Sequence, residues 1–324
     1  MLIGETIALF VALSWTVTAL FAEVGSKRMG SLPFNAIRIA MSLVMLALTL
    51  WLIMGAPCPR YADGPTWLWL LLSGLVGYVL GDYCLMQGYI IIGSRFGQLF
   101  MTLSAPTAAL LGRLFLGEQM SAKALWGMLI TLTGIAMSIL SKQKDDRTVH
   151  LSLPARGIAY AAIAGICQGA GLVLSKVGMV HYDSALAASG MTPQMTVEDA
   201  LVPLPLSFSI PFASTLIRCI MGLVGFLLML KLFEHNGGEK LRRATKDRKA
   251  MWSAFASMLF GPFVGVSLSL MATRYTSTGI AQTLFALTPV LIIAPAAWFF
   301  HQKVSPREVL GAIISVVGVS LFFI

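Results

Sequence analysis

The stretch LGDYCLMQGYIIIGSRFGQLFMTLSAPTAALLGRLFLGEQMS, Leu80 to Ser121, holds two apolar runs that meet at Gly93-Ser94-Arg95, with single polar residues such as Asp82, Gln87 and Gln98 set inside them. A helix needs about 20 mostly apolar residues to cross a bilayer. The stretch therefore reads as the close of one membrane crossing, a tight reversal and a complete second crossing. Outward from it, polar or Gly/Pro breaks divide the chain into ten such runs. They are Leu2 to Ala22, Phe34 to Met54, Thr66 to Ile92, Phe96 to Leu116 and Ala122 to Leu140, then Gly157 to Val180, Phe212 to Phe233, Met251 to Thr273, Gly279 to Phe300 and Arg307 to Ile324. Composition agrees: 57% of the 324 residues are hydrophobic, 11% are charged, and the mean hydropathy is +0.82. Soluble domains carry about 25% charged residues. One core of this length cannot bury so much apolar surface, so the remainder faces lipid and a soluble globule is excluded.

The first run is expected to be a helix rather than a signal peptide, because its opening MLIGET holds Glu5 and no basic residue and further apolar runs follow. Cys58, Cys84, Cys167 and Cys219 include no CxxC pair, so they suggest neither a zinc site nor a disulfide framework. No HExxH, GxSxG, Walker A or GxGxxG motif is present. The expectation is no enzyme activity, no cofactor and no metal, and the net charge of +9 is read as loop asymmetry rather than as nucleic-acid binding.

A shift of 184 residues aligns the third to fifth runs with the eighth to tenth. Gly81 meets Gly265, Gln98 meets Gln282, Ser121 meets Ser305, Gly127 meets Gly311 and Gly134 meets Gly318. Pro106 and Pro289 match with one residue slipped. Earlier in each half, Ser26-Lys27 recurs as Ser175-Lys176, and Pro33-Phe34 with Arg38 recurs as Pro211-Phe212 with Arg218. Five crossings per unit is an odd number, so a duplicated second unit enters the membrane upside down. The expected fold is an all-α integral membrane protein of about ten transmembrane helices in two inverted five-helix repeats. Residues 1–141 form the first repeat, 142–156 a charged linker, and 157–324 the second repeat, with an insertion at about 181–211.

The Leu80 to Ser121 stretch and its weaker copy, FVGVSLSLMATRYTSTGIAQTLFALTPVLIIAPAAWFFHQKVS from Phe263 to Ser305, resemble the paired EamA-type domains of the drug/metabolite transporter superfamily. The resemblance rests on Gly81-Asp82, the mid-helix Pro106, and the ending Leu116-Gly117-Glu118. The second copy departs from it at Phe300-His301-Gln302, where Leu-Gly-Glu is expected. The resemblance implies a carrier of small metabolites, an exporter of amino-acid-like solutes. Its rivals are a facilitative carrier or antiporter of other metabolites or drugs, and a non-transporting scaffold or lipid-modifying enzyme.

Connectors after the odd-numbered runs hold sixteen basic residues, seven of them between Lys231 and Lys249, whereas the opposite connectors hold Arg60, Lys123 and Arg274. The positive-inside rule then places the odd-run connectors in the cytoplasm and both termini outside. The resemblance favours termini inside. The bacterial inner membrane is the expected location.

Asp82 is the sharpest candidate, because an acid inside a crossing costs about 3 kcal/mol and needs compensation. Tyr78, Asp82 and Tyr89 share one helical stripe beside a strip made by Gly74, Gly77, Gly81 and Gly88. The stripe suits the wall of a substrate or proton pathway, while the strip suits close helix contact, as do the Gly93/Gly97, Gly165/Gly169 and Gly261/Gly265 spacings. Arg38 and Arg218 are repeat-equivalent and suit anionic groups, or else reach for lipid headgroups near their helix starts. Gln98 and Gln282 precede Pro106 and Pro289, which are expected to break their helices. Gln168, Gln87, Trp15 with Thr18 on its stripe, and Lys176 complete the pathway candidates. Glu23 and Lys27 are expected to form an i, i+4 ion pair. The expected partners are a small-molecule substrate and the lipid bilayer; a proton and a second copy of the chain stay open as partners, and nucleic acid is not expected.

Overall fold

A computed structural model describes residues 2–139, 154–197, 200–292, 295 and 306–321. Among the described residues there are helices and no strands. Seven helices are long and apolar enough to cross a membrane: α1 (Leu2–Met29), α2 (Ser31–Met54), α3 (Gly64–Ser94), α4 (Phe96–Leu116), α6 (Ala155–Ala188), α7 (Leu206–Phe233) and α8 (Arg248–Tyr275). Three shorter apolar helices, α5 (Ala122–Ile139), α9 (Thr278–Leu291) and α10 (Pro306–Ser320), bring the crossings to ten. A short charged helix, Gly237–Ala244, joins α7 to α8.

Local chemistry sets the helix ends. Asp63 accepts the Thr66 amide at 2.9 Å ahead of Pro65 in the first turn of α3. Asp247 does the same for α8 through Lys249 and Ala250, and Ser277 for α9 through Ile280. Gly55 and Gly117 close α2 and α4 at φ 67° and 65°, a region open to glycine at little cost.

Several helices outrun the apolar runs that announce them. α1 continues to Met29, seven residues past Ala22, and α6 continues to Ala188 while α7 begins at Leu206. Much of the 181–211 insertion is therefore helix. Hydropathy marks where lipid stops; a helix stops where its backbone loses partners, and Tyr182, fully buried, still donates to the Arg60 carbonyl at 2.5 Å beyond the apolar run. The linker expected at 142–156 lies outside the described residues except for its last three, Pro154 before α6 and Ala155 and Arg156 in its first turn, and the close of the ninth run and residues 322–324 of the tenth lie outside them too.

The helices pair antiparallel across the two halves. Along α3 and α6, Leu70 meets Gly178, Ser73 meets Ser175 and Gly77 meets Gly171, with numbers rising on one helix and falling on the other. Along α1 and α8, Gly4 meets Tyr275, Ser14 bonds the Phe260 carbonyl, and Phe21 accepts from Ser253. On α5 and α10, a Cβ added to Gly134 would stand 2.7 Å from the Gly311 carbonyl, and one added to Gly318 would stand 3.0 Å from that of Gly127. Contacts this close exclude any larger residue and let the backbones touch.

Two irregularities recur at the 184-residue shift. α3 contains a π-helical segment, Leu75–Asp82, and α8 contains another, Leu259–Phe263. The turns Thr102–Leu103 and Ala286–Leu287 interrupt α4 and α9. Pro106 and Pro289 follow these turns in the opening turn of the next helical piece, where a missing N–H costs least. A π segment leaves a carbonyl without its usual partner. Gln168 Nε2 supplies one to Gly77 at 3.2 Å and Ser14 Oγ supplies one to Phe260 at 2.6 Å, each from a helix of the other half.

Candidate functional site

The π segment of α3 carries Asp82 into the centre of the bundle, 6% exposed. Its two oxygens are separately held: Oδ2 by Arg38 Nη2 of α2, and Oδ1 by Gln168 Nε2 of α6 at 2.8 Å. Asn35 completes the frame, donating to the Asp82 backbone carbonyl at 3.3 Å and accepting from Arg38 Nη2 at 2.9 Å. The Arg38 guanidinium also lies over the Phe34 ring at 5.5 Å. A charge buried alone would be prohibitive; paired and hydrogen-bonded it is tolerated, although such a pair is weak support for stability and commonly marks function.

Around this cluster lies a cavity with about 460 Å³ of empty space, its open side included. Tyr78, Asp82 and Tyr89 line it along one stripe of α3, and Arg38, Gln98, Gln168 and Trp15 come to it from α2, α4, α6 and α1. Tyr89 accepts from Gln98 Nε2, and Trp15 stacks on Phe285 at 5.9 Å. Leu85, Met86, Ala19 and Val266 give the cavity an apolar floor. All its walls come from the middle of the bundle and the end nearer Lys27. Towards the Thr278 end the interior is filled by Leu46, Leu50, Met54, Leu70 and Tyr182, each fully buried.

Four candidates stand outside the cavity. Arg218 lies over the other face of the site, its guanidinium 5.0 Å from the Tyr78 ring centre and against Gly77. The headgroup alternative for both arginines is overturned: Arg38 and Arg218 are 3% and 4% exposed, and α7 starts six residues earlier than hydropathy suggests, which sinks Arg218 more than three turns deep. Gln282 accepts from Ser104 at 3.1 Å and reaches the Gln168 carbonyl, behind the cavity wall. Gln87 bonds Ser31 at 3.0 Å between α3 and α2. Lys176 is bound to Glu118 at 2.6 Å near the far end. Glu23 and Lys27 pair at 2.5 Å as expected. Gly93, expected in a tight helix contact, is instead the hinge between α3 and α4 at φ 80°, ψ 162°.

Asn35 and Pro262 were not among the sequence candidates, whereas Thr18 was named with Trp15. Asn35 had a signal, a lone amide three residues before Arg38 in an apolar run; Thr18 shares the Trp15 stripe. Pro262 sits inside the α8 π segment and lines the cavity, and a proline in mid-crossing is a standing pointer to such an irregularity. Among the described residues no group of three His, Cys, Asp or Glu side chains is placed to hold a metal.

A ten-crossing helical bundle, with a cavity walled by both halves and a buried ion pair at its centre, has the build of a membrane carrier. The chain belongs to the EamA-like transporter family, whose model matches residues 2–140 and 201–324. No curated protein matches it. Among solved structures, one crystal structure of a protein is similar to it at TM-score 0.69 over 98% of this chain and 95% of that one, with 13% identity, which shows a shared fold.

Proposed function

We propose that the protein is a secondary transporter that moves small, amino-acid-like metabolites out of the cell by alternating access, with Asp82 at the centre of its solute and proton pathway. The observation that carries the reading is the Arg38–Asp82–Gln168 cluster facing a cavity between the halves. A scaffold or lipid-modifying enzyme has no use for a charged group held this way at the bundle centre. The chain has no nucleotide-binding motif, so uphill movement draws on an ion gradient or on exchange. The antiparallel pairing of α5 with α10, of α3 with α6 and of α1 with α8 supports reading the halves as inverted repeats, the architecture in which one half rocks against the other. The basic asymmetry supports a cytoplasmic Lys27 end in a bacterial inner membrane, towards which the cavity lies.

The test is solute flux by purified protein in liposomes, screened against amino acids and related metabolites, with and without an imposed pH gradient. Gradient-driven accumulation of an amino-acid-like solute is expected. Flux that equilibrates and ignores pH would replace this reading with a facilitative carrier, and no flux of any solute would remove it.

A further inference from the structure

We infer that Glu118, Lys176 and the backbone amide of Thr278 form the gate that seals the carrier on the face opposite its cavity, and that this gate must part for the cavity to open there. The inference rests on the alternating-access reading above.

Glu118 ends α4 in the first half. Its Oε1 takes Lys176 Nζ of α6 at 2.6 Å, and its Oε2 takes the Thr278 amide at 2.9 Å and the Thr278 hydroxyl at 2.6 Å, at the start of α9. Lys176 also donates to the Thr276 carbonyl at 3.1 Å. Both second-half partners therefore hang on one carboxylate from the first half, which also binds the first amide of α9 at its buried N-terminus. The side chains of Lys176 and Glu118 are 20% and 13% exposed.

The repeat supplies the other face. Lys27 is the equivalent of Lys176, and Ser94 that of Thr278 at the 184-residue shift. They too share a carboxylate: Glu23 pairs with Lys27 at 2.5 Å and accepts the Ser94 amide at 2.9 Å. Glu23, however, belongs to the same half as both partners. That latch holds its own half in order and ties nothing across. The sequence equivalent of Glu118 is Gln302, and that of Glu23 is Leu172, so neither latch is duplicated on the opposite face. On the Lys27 face, where the cavity lies, the halves are joined by Arg28 and Asp247 at 2.8 Å, a pair 45% and 31% exposed to solvent, whereas the Glu118 cluster is mostly buried and stands beside a second crossing contact, Thr276 to Glu5 at 3.0 Å.

The experiment reads accessibility and needs no known solute. Thr18, on the cavity wall, is replaced by cysteine in a background with Cys58, Cys84, Cys167 and Cys219 changed to alanine. Labelling by a membrane-impermeant thiol reagent is followed in right-side-out and inverted vesicles, with Gly238→Cys marking the Lys27 face. Thr18→Cys is expected to label from the Lys27 face and hardly at all from the other. With Glu118→Gln and Lys176→Met together, labelling from the Thr278 face should rise several-fold while that from the Lys27 face falls. Glu23→Gln with Lys27→Met should leave the Thr278 face closed. Lys176→Met alone, which keeps the cap on Thr278, should give a smaller shift and serves if the double variant does not reach the membrane. Unchanged labelling in the Glu118 and Lys176 variants overturns the gate. Failure of alternating access itself looks different: Thr18→Cys in the otherwise unaltered chain would label from neither face or equally from both.

Discussion

Thr131 and Ser315 each use a side-chain hydroxyl to reach the other's backbone carbonyl, at 3.5 Å and 3.3 Å, across 184 positions of sequence. The exchange is reciprocal, so α5 and α10 meet about a local twofold through these two residues. Gly134 and Gly318 flank it, and a Cβ at either would stand 2.5 Å from a backbone nitrogen of the opposite helix.

Overpacking a filled contact costs about 1–3 kcal/mol. Gly134→Ala and Gly318→Ala should therefore lower the thermal midpoint of the detergent-purified protein by similar amounts. Gly64→Ala, at a glycine with open space around it, should not. A loss at Gly134 with none at Gly318 would contradict the reciprocal packing.

Asp82 and Arg38 should behave as a unit. Removing one partner of a buried pair strands a charge and costs about 3–5 kcal/mol, whereas replacing both with apolar residues is often neutral. Arg38→Leu alone should express poorly, and Arg38→Leu with Asp82→Leu should recover folding without recovering transport. Thermal stability by tryptophan fluorescence and flux in liposomes check the two halves of this expectation.

Asp82→Asn keeps size and hydrogen bonding but cannot ionise. It should abolish accumulation driven by a pH gradient while sparing exchange at equal solute concentrations. Asp82→Ala should in addition lower expression, since Gln168 and Arg38 would then be left without their buried acceptor. Accumulation by Asp82→Asn equal to that of the unaltered chain would remove the proton from the mechanism.

Gly93 joins α3 to α4 with backbone angles that essentially only glycine adopts. Gly93→Ala should cost about 1–3 kcal/mol through backbone strain alone, because the space around its Cβ is ordinary, with Glu23 Oε1 3.7 Å away. Circular dichroism melts of the variant should show the loss.

The loop from Lys231 to Lys249 tests orientation. Gly238→Cys should resist an impermeant thiol reagent in intact cells and label once the membrane is broken. Ready labelling in intact cells would turn the carrier over.

The ten crossings, and Gly134 and Gly318 as equivalent positions of the repeat, were legible because lipid burial and close helix contact write themselves into residue type. Asp82, Tyr78 and Tyr89 were legible for the same reason, as polar residues on one stripe where none is cheap. The pairing of Lys176 with Glu118 was not legible, because the two are 58 residues apart in different halves and nothing near either residue announces the other. Arg218 was misread because the start of α7 is fixed by backbone partners at Leu206, which leave no trace in hydropathy. Asn35 went unnoticed since its task, holding a carbonyl and a guanidinium, appears only once α2 and α3 are side by side.

The wide turns at Leu75–Asp82 and Leu259–Phe263 act as phase shifters. Each holds a surplus residue, and removing one residue from a helix rotates everything beyond it by about 100°. Upstream of Asp82, α3 presents Gly74 and Gly77 to the Arg218 side; downstream it presents Tyr89 to the cavity. Those two presentations are in step only because the extra residue is there. Deleting a single apolar residue such as Val79 would leave composition, length and hydropathy almost unchanged, yet it would swing one half of α3 off its partners, so the fold is more sensitive here to the count of residues than to their kind.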